Sequence, residues 1–495
     1  MVGVNRLSGL VSGLDTDSLV KALVSSNSAK VNKYKQKQDM LEWKRTDYRE
    51  MNSKILDFRN SAFNMKLQSS YMTKTVTSSQ DSAVSVSAST SANTGQFNIE
   101  VSSLASGASL TSAVLGSNPD FTNKNLTIND FNGNPVDILS ASGSNTKPAD
   151  LVNLINAKSS ETGVKASYDS TMQRIFFTTT KTGENAEITL GGSAVSVLNT
   201  VNKVGAASTS EKGTNADVTF NGVSGSYETN TFSIAGLNIT AKAVTTTPAT
   251  VTVNQDSDAI FNTIKGFVDK YNELIETVNK KISETHERSF EPLTKEQKDA
   301  MSEDEIKKWE EKAKAGLLSR DSILTSGLSS LRQAFSEKID GMPVDLDSLA
   351  KIGISSTLSA GGGIAGSYMD KGKIYISDSK LKQAIADNPD EVMKLFTAND
   401  GDDKASGGDG LAVRLYDRAN EIINKITAKA GSTGSVSMTS YSMGKELLEL
   451  KNRISTEETR ISDLQERYYR QFSRMESYLS KMNSQSSWMA GQTGQ

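Results

Sequence analysis

Asn254, Asp256 and Asp258 alternate along the chain with the spacing at which calcium loops begin, where oxygen ligands two residues apart converge on one hard cation. Such a loop needs glycine at its sixth position and glutamate at its twelfth. Those positions hold Ala259 and Lys265, so no cation site is expected there. The run Ala360 to Gly366 has the glycines of a phosphate loop without its terminal Lys and Ser/Thr, and reads as a surface turn. Asp15 and Asp17 could serve as a general acid/base pair, but they stand beside Ser and Thr ahead of an apolar run, the setting of a helix cap. His286 is the sole histidine and lies in the polar run Lys281 to Glu291, read as helical and solvated. One imidazole without thiols makes neither a zinc centre nor a supported triad. Cysteine is absent, which removes disulfides, thiolate ligands and thiol nucleophiles. No paired carboxylates stand in a glycosidase setting. No catalytic, cofactor-binding or metal-ligating residue is therefore named, no cofactor is expected, and the chain does not read as an enzyme.

The elements that remain are long helices at both ends and short strands between them. Val31, Tyr34, Gln38, Leu41, Arg45 and Tyr48 follow at three and four residues. The run slips by one position and continues through Met51, Ile55, Phe58, Ala62 and Met65, a heptad-like stripe with a stutter. Near the other end Ile454, Ile461, Leu464, Tyr468, Phe472, Met475, Leu479 and Met482 keep similar spacing. A helix of about 35 residues spans roughly 50 Å. One compact domain cannot cover that length, so the two ends are expected to pack on each other or on neighbouring subunits.

Composition agrees with an elongated, non-enzymatic chain. An apolar fraction of 36% over 495 residues is low for one compact core and suits several domains with much surface. A net charge of -3 without a basic block gives no footprint for nucleic acid. The opening residues lack a basic region followed by an apolar core, and no run reaches 18 apolar residues. Neither a cleaved signal nor membrane insertion is expected.

Along the chain, Asp15 and Asp17 open a first helix that Ser25 to Ser28 are expected to loosen before the long helix begins. Val84 and Val86, then Phe97, Ile99 and Val101, alternate as a strand pair around the turn Asn93 to Gly95. Strand candidates follow at Leu126 to Ile128, Val164 to Tyr168, Arg174 to Thr178 and Ala186 to Leu190, with a helix at Pro148 to Ala157. A second strand group covers Ala216 to Phe220, Thr231 to Ile234, Leu237 to Ala241 and Val251 to Asn254. Ile260, Ile264, Phe267, Val268, Tyr271, Leu274, Ile275 and Val278 then form a helix face wide enough to require burial. The charged stretch Glu291 to Lys314 reads as solvated helix with Trp309 as an apolar anchor. Asp321 is a cap for a helix to about Phe335. Lys373 to Ile376 is a short strand, Asp378 caps the next helix, Asn388 and Pro389 stop it, and Leu411 to Ile426 is helical. Gly431 and Gly434 precede a terminal helix from about Ser442.

Leu10, Val11, Ser12, Gly13, Leu14, Asp15, Thr16, Asp17, Ser18, Leu19 and Val20 resemble the opening of the flagellar hook-associated protein 2 family. Further blocks resemble it in the same order: Thr94 to Val101 with Leu104 and Ala105, Gly213 to Gly222, and Leu317 to Asp321 with Leu331 and Arg332. Ile352 to Ile354 and Asn388 to Phe396 complete them, while Gly107 to Lys212 carries little that identifies it. The resemblance implies a secreted homo-oligomeric cap at the tip of the bacterial flagellar filament that promotes flagellin insertion and polymerisation. It also implies contacts with flagellin, with the hook–filament junction proteins and with an export chaperone. The fold class expected is multidomain α+β, a terminal α-helical coiled coil and helical bundle with β-rich head domains inserted between them. Residues 1–44 with 451–495 would form the coiled-coil leg and 45–75 with 256–450 the bundle. Residues 76–106 with 213–255 would form the inner head and 107–212 the outer head. Leu19, Leu23, Leu464 and Leu479 are the residues expected to hold the leg together or to contact the filament. The alternative is a surface-exposed adhesin whose strand-rich middle binds mucin or another host ligand.

Overall fold

The structure is a computed structural model that describes residues 13–116, 118–141, 144–356, 372–401, 407–435 and 437–493. The glycine-rich run 360–366 lies outside them, as do residues 1–12. The chain forms two compact units, Met72–Ala259 and a helical unit made of Met1–Tyr71 with Ile260–Gln495.

Helix α1, Thr16–Met65, begins on Asp15, whose carboxylate accepts from the Ser18 amide at 3.0 Å. Nothing between Thr16 and Met65 is Gly or Pro. The loosening expected at Ser25 to Ser28 does not occur: these residues continue the helix, and the Ser25 hydroxyl donates back to the Ala22 carbonyl at 2.8 Å. Ser and Asn cost only about 0.5 kcal/mol each within a helix, too little to break one that is packed along its length.

In the unit Met72–Ala259 one core lies between two antiparallel sheets. Its strands are β1 (Lys74–Ser78), β2 (Val84–Ala88), β3 (Gly95–Ser103) and five more that follow the second lobe. The second lobe holds β4 (Ser109–Thr111), β5 (Leu126–Asn129), β6 (Pro135–Leu139), β7 (Val164–Asp169), β8 (Arg174–Thr179), β9 (Glu187–Gly191) and β10 (Ser210–Lys212). Its helices are α2 (Pro148–Ala157), α3 (Ser159–Thr162) and α4 (Val195–Leu198). Chain order resumes with β11 (Ala216–Phe220), β12 (Val223–Tyr227), β13 (Thr231–Ile234), β14 (Leu237–Ala241) and β15 (Ala249–Gln255). The sheet β1-β15-β3-β11-β12 and the sheet β13-β14-β2 enclose Val84, Ile99, Val101, Val218, Ile239 and Val251. The expected pairing of the Val84 strand with the Phe97 strand is therefore wrong. Val86 lies opposite Ile239, Phe97 opposite Val251, and β2 and β3 belong to different sheets of one core. The second lobe packs α2 against β10-β9-β5-β6 and β4-β8-β7 around Leu126, Leu151, Ile155, Phe177 and Ile188.

The helical unit continues with α5 (Ser257–Ser283), α6 (Lys295–Asp299), α7 (Glu303–Lys314), α8 (Ser322–Ala334), β16 (Ile354–Ser355) and β17 (Tyr375–Ile376). It closes with α9 (Asp378–Asp387), α10 (Pro389–Thr397), α11 (Leu411–Ala430) and α12 (Ser442–Thr493). Asp256 accepts from the Ala259 amide at 2.8 Å and so terminates a strand and starts α5, a capping rather than a cation-binding use. The helix containing Asp378 is entered through Ser377, with Asp378 as its first residue. Helix α5 ends at Ser283, so His286 stands in an irregular segment, half-buried with its ring nitrogen 3.1 Å from the Ala315 carbonyl, and not on a solvated helix.

Phe58 of α1 stacks on Phe267 at 5.6 Å and meets Tyr271 at 5.9 Å, and Tyr271 meets Phe335 at 4.4 Å. Four charged groups, Asp321, Glu337, Arg414 and Arg418, lie in or against this core and are paired. Asp321 caps α8 through the Ile323 and Leu324 amides at 3.1 Å and also receives the Tyr48 hydroxyl. Burial and that carboxylate push the Tyr48 hydroxyl well above its ordinary range. Arg414, fully buried, donates to Glu337 at 3.1 Å, and Arg418 donates to the same carboxylate at 2.7 Å.

Candidate functional site

The feature that a compact domain does not explain is the pairing of α1 with α12. Asp17 accepts from the Tyr469 hydroxyl at 2.7 Å, Lys30 pairs with Glu457, and Arg45 donates to the Tyr441 hydroxyl at 3.3 Å. Residues gained along α1 are matched by residues lost toward and along α12, so the two segments run antiparallel in one register from Asp17 to Arg45, whose partner Tyr441 stands just before α12, roughly 40 Å of axis. Lys35 adds a pair with Glu458 at 2.7 Å. Lys30 holds the Glu457 carboxyl below the usual carboxylate range. Exposed pairs of this kind fix register and contribute little stability.

Beneath them α1 buries one row, Thr16, Val20, Val24 and Val31. Of the residues singled out from the sequence, Leu19 and Leu23 lie one turn apart beside that row and are 39% and 49% exposed. Leu464 and Leu479 are half-buried on α12, about 22 Å apart along its axis. The shared register brings Leu464 level with Leu23, whereas Leu479 lies past the level of Thr16. Val20 and Val24, apolar in the sequence beside the chosen leucines, are the better buried. The signal that selects them is backward extension of the Val31 stripe, since seven residues before Val31 is Val24 and four before that is Val20. Farther along α12, Tyr478, Met482 and Trp488 are 69%, 63% and 64% exposed.

Among the described residues no group of three or more His, Asp or Glu side chains is placed to hold a metal. No helix among the described residues is long and apolar enough to cross a membrane. The pair of helices carries exposed apolar side chains among polar and charged ones.

The model of the flagellar hook-associated protein 2 C-terminus matches residues 213–484, more than half of the chain. The chain belongs to the flagellar hook-associated protein 2 family. The model of the N-terminus of that family matches residues 12–108. Residues 125–181 match the flagellin hook IN motif, in the lobe whose sequence carried least to identify it. The flagellar hook-associated protein 2 of Halalkalibacterium halodurans is 28% identical over 97% of this chain and 98% of its own length. That of Thermotoga maritima is 26% identical over 99% and 96%. The D1-D2-D3 domains of the flagellar cap protein FliD from Escherichia coli superpose with a TM-score of 0.54 at 21% identity, covering 81% of this chain and 99% of that one. This likeness extends to the fold: α+β, several domains, helices toward both ends of the chain and β-rich lobes in its middle.

Proposed function

We infer that this protein is a flagellar filament cap subunit that assembles with copies of itself at the filament tip and promotes the insertion and polymerisation of flagellin. The observation that carries the reading is the placement of the family's two halves. They fall on residues 12–108 and 213–484, the segments that build the α1–α12 pair, the helical unit and the inner β core. Residues 1–44 with 451–495 are the leg, 45–75 with 256–450 the bundle, 76–106 with 213–255 the inner head and 107–212 the outer head. Separate hydrophobic cores in the bundle, the inner head and the outer head support the last three of these parts. Leu19, Leu23, Leu464 and Leu479 hold the leg together or contact the filament; the exposure of Leu19 and Leu23 favours filament contact for those two. The hook–filament junction proteins and an export chaperone are the remaining partners.

The test is a strain deleted for this gene. Short or absent filaments with flagellin free in the medium are expected, restored by the full chain and not by a version without residues 1–35 and 451–495. Filaments of normal length in the deleted strain refute the reading.

A further inference from the structure

Between α5 and α8 the chain makes an excursion, residues 284–316, that returns to its own starting point. The Gly316 amide donates to Glu284 at 3.1 Å, Ala315 meets the His286 ring at 3.1 Å, and the Arg320 amide donates to the Ile282 carbonyl at 2.9 Å. Gly316 has φ +71°, and a Cβ there would stand 2.5 Å from the His286 nitrogen, so the neck closes only with glycine. Beyond the neck the excursion is ordered by its own chemistry. Thr294 with Gln297 and Ser302 with Glu305 form capping boxes on α6 and α7. Phe290 meets Trp309 at 4.6 Å, and the Trp309 indole donates to the Glu291 carbonyl at 2.8 Å. Glu310 bridges Lys298 at 2.8 Å and Lys314 at 2.9 Å.

This self-contained piece touches one stretch of α1. Gln36 donates to the Pro292 carbonyl at 2.7 Å, and the Lys314 ammonium lies 4.8 Å over the Trp43 ring. At its neck Lys281 joins Asp47 at 3.1 Å to Glu284 at 3.5 Å. The burial of α1 changes there. From Asp15 to Lys35 mainly one row is covered, whereas residues 38 to 45 include no exposed side chain.

We propose that residues 284–316 are a clasp that grips α1 between Gln36 and Asp47 and fixes the line along which the terminal helix pair extends from the helix bundle. A long helix covered mainly on one row over its first turns is free to curve there, and the clasp packs on α1 where its fuller coverage begins. The aromatic pair Phe290 and Trp309 holds the clasp together, and Trp43 is its seat on α1.

The test is amide hydrogen exchange on the full chain, comparing the unaltered protein with two variants. One is Phe290→Ala with Trp309→Ala. In the other, residues 287–314 are replaced by a short Gly-Ser linker, which the closed neck permits. Protection of residues 33–46 should fall tenfold or more in both, with residues 51–65 and 411–430 unchanged. Unchanged protection of 33–46 in the linker variant overturns the proposal. Loss of protection across 51–65 and 411–430 as well also overturns it, because the excursion would then be part of the core and not a clasp upon it.

Discussion

Two double substitutions, Val20→Ala with Val24→Ala and Leu19→Ala with Leu23→Ala, separate the row that closes the terminal helix pair from the row beside it. Val20 and Val24 are 1% and 2% exposed, and each loses about two buried carbons on truncation. At about 0.8 kcal/mol per buried methylene this costs about 1.5 kcal/mol per site. The better helix propensity of Ala returns about 0.5 kcal/mol per site. The valine pair should therefore cost about 2 kcal/mol, roughly a thirtyfold loss of exchange protection over residues 16–35. Leu19 and Leu23 are already largely in water, and surface truncations of this kind stay within about 0.5 kcal/mol each. Their pair should lower protection by less than about tenfold. The functional ranking should be the reverse of a pure stability ranking: the leucine variant remains folded in the free protein yet restores fewer filaments to a deleted strain. If the leucine pair loses as much protection as the valine pair, or if the valine pair loses none, the assignment of rows is refuted.

Glu337→Ala strips the carboxylate from the fully buried Arg414 and should destabilise the helical unit by about 3 to 5 kcal/mol in urea titration followed at 222 nm. Glu337→Gln, which keeps an acceptor, should cost less. Gly183 has φ +95° and no room for a Cβ, which would meet Glu228 Cα at 2.7 Å, so Gly183→Ala should lower the melting temperature of the β-rich unit. Burial pushes the Glu310 carboxyl up, but hydrogen bonds from Lys298 and Lys314 outweigh it and leave it below the usual range. A carboxylate depressed on folding contributes stability above its unfolded value, near 4.5, that is lost as pH falls through the folded value. Asp39 beside it is raised by burial and acts in the opposite sense. The urea midpoint of tryptophan fluorescence should therefore fall less between pH 5 and pH 3 in Glu310→Gln than in the unaltered chain.

Local structure is legible in the sequence where one residue decides the outcome. Pro148 opens α2, Asp321 caps α8, and the glycines before Ser442 separate α11 from α12, as the pattern suggests. Pairing was not legible, because which strand lies beside which is a long-range property that alternation does not encode. Hence β2 and β3 look like a hairpin and are not one. Strands with few large apolar residues leave too weak a pattern to be legible, such as β1 with Val76 alone and the edge strand β12 with two Ser and a Gly. In the terminal pair, Leu and Val at adjacent positions are equally apolar by type. Only the phase set by Val31 decides which faces inward.

The helical unit is built from both ends of one chain, and this sets a schedule. Lys30 and Glu457 meet across 427 residues of sequence, whereas the strands and helices of Met72–Ala259 find their partners within that segment. Contacts so remote form late, since the entropy of closing the chain is spent before the packing that rewards it. A helix near either end has no mate until the other is present, while the β-rich part closes within its own segment. The α1–α12 pair therefore ties together stretches of the chain that lie far apart in sequence, and a change in one of them is felt in the other.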